Sequence, residues 1–100
     1  MTVTLEDERG TVIDELLDPQ NVVVRLIEPS AHKGEIALLQ YVDPYADTIF
    51  NRLQMRDVLR DITTLMAKAN DDAIAIVEKL SELAERCTRE PHLYLKFHGD

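Results

Sequence analysis

The chain has 100 residues, 45% of them hydrophobic, which is enough for one modest core and too few for two comfortable domains. We therefore expect a single domain over residues 1–100. Nineteen acidic and eleven basic residues give a formal net charge of -8, and nine of the acids lie in residues 1–43 against three basic residues. Such a surface repels nucleic-acid phosphates and anionic membranes and attracts basic proteins.

No apolar run approaches the roughly 20 residues that a membrane-spanning helix needs. The first residues also lack the basic start and apolar centre of a secretory signal. These two observations predict a cytoplasmic protein that has no membrane partner.

The first predicted element is a β-hairpin. Its arms, residues 3–5 and 11–13, flank a polar turn that ends at Gly10, and hairpin loops often need the positive φ that glycine supplies. For residues 11–17 the sequence allows either a strand or a helical turn, because their apolar positions also fit an i, i+4 pattern.

Two further strands are predicted before the middle of the chain. The first covers residues 22–27, which begin with three valines, and Pro29 ends it. The second covers Ile36 to Val42, and the short connection favours antiparallel pairing between the two. The sequence therefore predicts a central β-hairpin.

Two helices are predicted next. Asp43 can accept bonds from free backbone N–H groups and Pro44 fits the first helical position, so the first helix is expected to run from Pro44 to Ala69. Asn70-Asp71-Asp72 predicts a break and a new N-cap, and the second helix continues to the residues before Pro91. A turn this short predicts an antiparallel two-helix hairpin.

The last predicted element is a strand, because Leu93, Leu95 and Phe97 alternate with polar residues. The expected fold is α+β: an antiparallel sheet of four or five short strands packed on the two-helix hairpin, with the terminal strand after the helices.

The candidate binding residues lie at the start of the first predicted helix. They combine carboxylate, phenol, amide and guanidinium groups: Asp43, Tyr45, Asp47, Asn51 and Arg52. Asp43, Asp47 and Asn51 are four residues apart, so a helix would place them on one face. Helix capping, contact with a neighbouring strand and use as an interface are the structural alternatives.

The same stretch carries a resemblance to other proteins. Asp43-Pro44-Tyr45, Asp47-Thr48 and Phe50 to Gln54 resemble a motif that follows a strand in a group of small uncharacterised bacterial proteins. The resemblance covers about a quarter of the chain. It implies a bacterial cytoplasmic origin and no particular activity.

The basic residues of the first predicted helix form a ridge at i, i+4 spacing: Arg52, Arg56 and Arg60. Left unpaired, these guanidinium groups would suit an anion. If the second helix folds back on the first, we instead expect these arginines to form ion pairs with Glu78, Glu82 and Glu85.

No catalytic or cofactor motif is present, and His92 and His98 lie roughly 20 Å apart on a strand, too far for one zinc ion. We therefore expect no metal and no cofactor. We expect the protein to be a small, acidic, noncatalytic protein-binding module. Immunity-like or antitoxin-like inhibitors of basic partners are examples of this class. The alternatives are a small enzyme or ligand-binding protein that uses Asp43 to Gln54, and a homodimer or larger homo-oligomeric structural subunit.

Overall fold

Seven regular elements follow one another in residues 1–99, the part of the chain that the computed structural model describes. They are β1 (Thr2–Asp7), β2 (Val12–Leu17), α1 (Val22–His32), β3 (Thr48–Asn51), α2 (Met55–Lys68), α3 (Asp71–Arg89) and β4 (Leu93–His98). Single 3-10 turns occupy Leu39–Tyr41 and Arg52–Gln54. The predicted α+β class and the terminal strand after the helices are confirmed.

The four strands form one sheet in the order β2-β1-β4-β3, and every neighbouring pair is antiparallel. One face of the sheet is buried through alternate residues: Val3, Leu5, Leu16, Phe50, Leu93, Leu95 and Phe97. On this face the rings of Phe50 and Phe97 meet edge to face, with their centroids 5.8 Å apart. Residues 12–17 are a strand, so the alternative of a helical turn is wrong.

The helices cover only the buried face of the sheet. α3 contacts three of the strands, and α1 and α2 pack on α3. Each helix contributes an apolar stripe to the common core, for example Val23 and Ile27 from α1, Ile62 and Leu65 from α2, and Leu80 and Leu83 from α3. The helical layer therefore contains α1 in addition to the two predicted helices.

The predicted strand over residues 22–27 is wrong, because these residues form most of α1. The buried carboxylate of Asp18 accepts the backbone N–H groups of Val22 and Val23, both at 2.9 Å, and so satisfies donors that a helix start leaves free. Val23, Ile27 and Ser30 are buried at helical spacing. Capping and burial on one helix face outweigh the β preference of the valines.

The predicted strand from Ile36 to Val42 is also wrong. The buried carboxylate of Asp61, on α2, accepts the N–H groups of Ala37, Leu38 and Leu39 at 2.9, 2.7 and 2.9 Å. These bonds hold the connection in a curved form that ends in a 3-10 turn, so residues 36–42 contribute no strand. The sheet has four strands among the described residues, and the central hairpin does not form.

The predicted helix start at Asp43 is wrong for a local reason. The Asp43 side chain does accept a backbone N–H, that of Tyr45 at 2.8 Å, but the bond closes a turn and not a helix. The chain then extends into β3 and reaches α2 only at Met55. Before α2, Asn51 and Gln54 each accept the other's backbone N–H, which is a capping box.

The second predicted helix is confirmed as α3. The Asn70 side chain accepts the N–H of Ala73 at 3.0 Å, as expected of an N-cap, and the helix ends at Arg89. Cys87 is buried on its apolar stripe, where burial raises the pKa of the thiol to about 11.

Candidate functional site

The five predicted binding residues do not share a helix face. Asp43 and Tyr45 lie in the turn before β3, and the Tyr45 side chain is 82% exposed. Arg52 lies beyond β3, in the exposed 3-10 turn. The spacing argument for a shared face fails because this segment is extended where a helix was expected.

Asp47 directly precedes β3 and Asn51 is its last residue. Asp47 Oδ2 lies 3.7 Å from Lys96 Nζ of the neighbouring strand β4, and Asn51 is engaged in the capping box. Within residues 1–99, no hydrogen bond or ion pair joins one of the five predicted side chains to another. Their use in binding stays a prediction.

The sheet brings together a different set of residues on its outer face, opposite the helices. Side chains from all four strands share this face because they alternate with the buried ones. One row across it contains Asn51, Tyr94, Glu6 and Val12, and the next contains Ile49, Lys96, Thr4 and Glu15. A third row contains His98, Thr2 and Leu17. We call these eleven residues the outer face.

The outer face combines exposed apolar side chains with acidic ones. Leu17 is 61% exposed, Ile49 56% and Val12 50%, although each belongs to a strand. Glu15 lies beside Leu17 on β2 and is exposed, while Glu6 lies between Val12 and Tyr94. Val12 and Leu17 lie on the edge strand β2, and Ile49 lies on the opposite edge strand β3, with β1 and β4 between them.

A hydrogen-bonded cluster lies near the centre of the outer face. The Thr4 hydroxyl donates to Glu6 Oε2, and His98 Nε2 lies 2.7 Å from the Thr4 Oγ1 and 3.3 Å from Glu6 Oε2. A hydroxyl has one proton, so the ring nitrogen must be the donor to Thr4. A nucleophile needs a neighbouring base to accept its proton, and His98 does not do so in this arrangement. The cluster instead fixes three polar side chains against the sheet.

Both edges of the sheet are partly closed by side chains. On β2, Asp14 Oδ1 accepts the N–H of Glu15 at 2.8 Å, and a register shift interrupts the pairing with β1 beside Glu6. On β3, Gln54 Oε1 accepts the N–H of Asn51 at 2.9 Å. Occupied backbone donors and irregularities discourage the addition of a further strand.

Ion pairs lie mostly away from the outer face. Asp14 points to the helix side, where Lys79 Nζ lies 3.0 Å and Arg86 Nη1 3.8 Å from its Oδ2. The Lys79 hydrogen bond is the main reason that the pKa of Asp14 is lowered.

The predicted pairs between the arginine ridge and α3 are not found in the described residues. Arg60 lies 4.0 Å from Asp57 of its own helix and Glu82 lies 3.9 Å from Lys79, so the nearest partners lie on the same helix.

The sequence contains a signal for the outer face. The polar residues of β4 alternate with buried ones, and Thr2, Thr4 and Glu6 alternate with Val3 and Leu5 in the same way. These patterns identify the strand positions that lie on the outer face, although Thr4 is itself only 4% exposed. They do not say that β1 and β4 are neighbours, which is why the Thr4, Glu6 and His98 cluster was not predicted.

No protein-family model matches the chain, and comparisons with curated proteins and with solved structures gave no significant match. Within residues 1–99, no three His, Cys, Asp or Glu side chains are grouped so as to hold a metal ion. No helix in the same range has both the length and the apolar character needed to cross a membrane.

Proposed function

We propose that the chain is a small, noncatalytic protein-binding module that uses the outer face to bind a basic protein partner. The observation that carries this proposal is the uncovered sheet face, on which Val12, Leu17 and Ile49 are at least half exposed and the exposed Glu15 lies between Val12 and Leu17. Apolar contact would supply affinity and the acids would select a partner of opposite charge.

The electrostatics of the whole chain support the same class of partner. A net charge of -8 speeds the approach of a basic protein and slows that of phosphate-rich surfaces. Compact acidic chains that bind and inhibit a basic enzyme, as immunity proteins and antitoxins do, are the type that we propose. Of the predicted binding residues, Asn51 lies on the outer face and Asp47 holds Lys96 at its margin, so these two are the best placed to contribute.

The test is affinity capture from native lysate with wild type and three variants. Leu17→Glu and Ile49→Glu place a charge at exposed apolar positions on the two opposite edge strands of the outer face. Tyr41→Glu is the matched control, because Tyr41 is an exposed large side chain in the 3-10 turn between α1 and β3. We expect wild type and Tyr41→Glu to retain one stoichiometric basic protein that both outer-face variants lose.

Capture is repeated at high salt and the complex is weighed by native mass spectrometry. Equal capture by all four proteins would contradict binding through the outer face. A retained metabolite would favour the small-enzyme alternative, and a dimer mass without a partner would favour the homo-oligomer.

A further inference from the structure

A groove of about 290 Å³ crosses the outer face where the β1–β2 turn, β4 and β3 come together. The groove is lined by Ile49, Tyr94 and Lys96 and by the acidic residues Glu6, Asp7 and Glu8. Tyr94 lies directly opposite Glu6 in the pairing of β1 with β4. An apolar and aromatic surface thus lies next to carboxylates.

The charged groups around the groove differ in how closely they are bonded to other groups of the protein. Lys96 is drawn towards Asp47, 3.7 Å away, and the Asp7 carboxylate accepts the N–H groups of Arg9 and Thr11 within its own turn. Glu8 is largely exposed, and the His92 ring lies beside it, with Nδ1 3.6 Å from Oε2. Glu8 is therefore the carboxylate that is best able to meet an incoming cation.

We propose that this groove holds an arginine side chain from a basic segment of the partner, an inference that rests on the proposed function. The aliphatic part of an arginine would pack on Ile49, and its planar guanidinium would stack on the Tyr94 ring. The fork of N–H donors would then face Glu8, with Glu6 behind it. A compact ammonium group pairs with carboxylates but cannot stack in this way, so arginine fits better than lysine.

The charge of the chain argues against a second copy as the occupant. Two copies, each with a net charge of -8, repel one another. A short basic segment is instead attracted by the same charge.

The test uses defined peptides and does not need the natural partner. The ¹⁵N-labelled protein is titrated with acetyl-Gly-Arg-Gly-amide, with its lysine analogue and with its citrulline analogue, which keeps the shape of arginine without the charge. We expect the arginine peptide to shift the amide signals of Gly10, Ile49 and Tyr94 and to bind more tightly than the lysine peptide. The citrulline peptide should leave these signals in place.

Two variants and a control locate the contact. Glu8→Gln should raise the Kd of the arginine peptide about two- to fivefold by removing an exposed ion pair. Tyr94→Leu keeps an apolar side chain and should raise it by about the same factor through loss of ring stacking. Glu85→Gln removes an exposed acid from α3 and should leave the Kd unchanged.

Equal binding of all three peptides, or signal shifts confined to residues outside the groove, would overturn the inference. If Glu85→Gln raises the Kd as much as Glu8→Gln does, the peptide is bound by nonspecific attraction to the acidic surface. That result would also overturn the inference. If the arginine peptide fails to bind while Leu17→Glu still abolishes partner capture, the groove inference fails and the proposed function stands. If partner capture survives both outer-face variants, the proposed function fails whatever the peptides do.

Discussion

Asp61 Oδ2 lies 2.7 Å from the backbone nitrogen of Leu38, and the same carboxylate also accepts the N–H groups of the two adjacent residues. Asp61 is only 2% exposed, so these three donors are the partners that compensate for the burial of its charge. The side chain thereby fastens the connection between α1 and β3 to α2.

We predict that Asp61→Ala lowers the free energy of unfolding by about 2 to 4 kcal/mol, because it leaves buried N–H groups without an acceptor. Asp61→Asn should be comparably harmful, since its NH₂ group would face backbone donors. Asp57→Asn, on the exposed side of the same helix, should cost less than about 1 kcal/mol. Urea denaturation of the three variants measures these differences, and a wild-type midpoint for Asp61→Ala would contradict the assignment.

The core supplies a second prediction. Leu80 is fully buried and Ile62 is 2% exposed, so replacing either with alanine should cost about 2 to 5 kcal/mol. Leu53→Ala is the control, because that side chain lies in the exposed 3-10 turn before α2 and its truncation should change stability little. Thermal melting separates the cases: both core variants should melt well below wild type, and melting within a degree of it would refute the packing.

The ion pair between Asp14 and Lys79 predicts a dependence of stability on pH. The Lys79 hydrogen bond lowers the pKa of Asp14 from its ordinary 3.8, so the native state releases this proton more readily than the unfolded state does. Ionised Asp14 therefore stabilises the fold above that ordinary value, and the contribution is lost as the pH falls through the lower native pKa. We predict that Asp14→Asn costs less than about 1 kcal/mol at neutral pH, because the pair is partly exposed, and a smaller amount at about pH 2.

Urea denaturation at the two pH values measures this difference. Glu85→Gln has no ion partner within residues 1–99 and should show no such change with pH. A constant difference between Asp14→Asn and wild type at both pH values would contradict the effect of Lys79.

Charge reversal tests the approach of the partner. Glu8 and Glu15 are exposed, so Glu8→Lys with Glu15→Lys should lower the association rate while leaving the melting temperature nearly unchanged. The wild-type rate should fall as salt is added, and that of the variant should fall less. Glu85→Lys changes the net charge through one exposed acid on α3 and serves as the control. Stopped-flow association with the captured protein measures the rates, and equal rates at low salt would exclude these acids from the interface.

Substitutions in the turn before β3 test whether this region takes part in binding or in catalysis. Asp43→Asn keeps an acceptor for the Tyr45 N–H, and Asp47→Asn removes the charge facing Lys96 without creating a cavity. Each should cost less than about 1 kcal/mol, and partner capture should survive Asp43→Asn. A folded Asp47→Asn protein that had lost turnover of a small substrate would favour the enzyme alternative.

The local pattern was sufficient to predict the two ends of the chain. Gly10, with φ at 81°, closes the first hairpin, the Asn70 side chain starts α3, and alternate burial marks β4. Each of these features depends on residues within a few positions of one another. Neighbouring residues therefore carried enough information to place these three features, although they left residues 11–17 open between a strand and a helical turn.

Only the tertiary structure determines the conformation of residues 22–54 and which side chains share the outer face. Asp61 shapes a connection more than twenty positions away, and burial of one side of α1 in the common core outweighs the β preference of its valines. Glu6 and Tyr94 become neighbours because β4 inserts between β1 and β3. Sequence periodicity says which side of a strand is exposed. It carries no information about which strands lie side by side, because that order depends on how the helices and the sheet bury their apolar faces together.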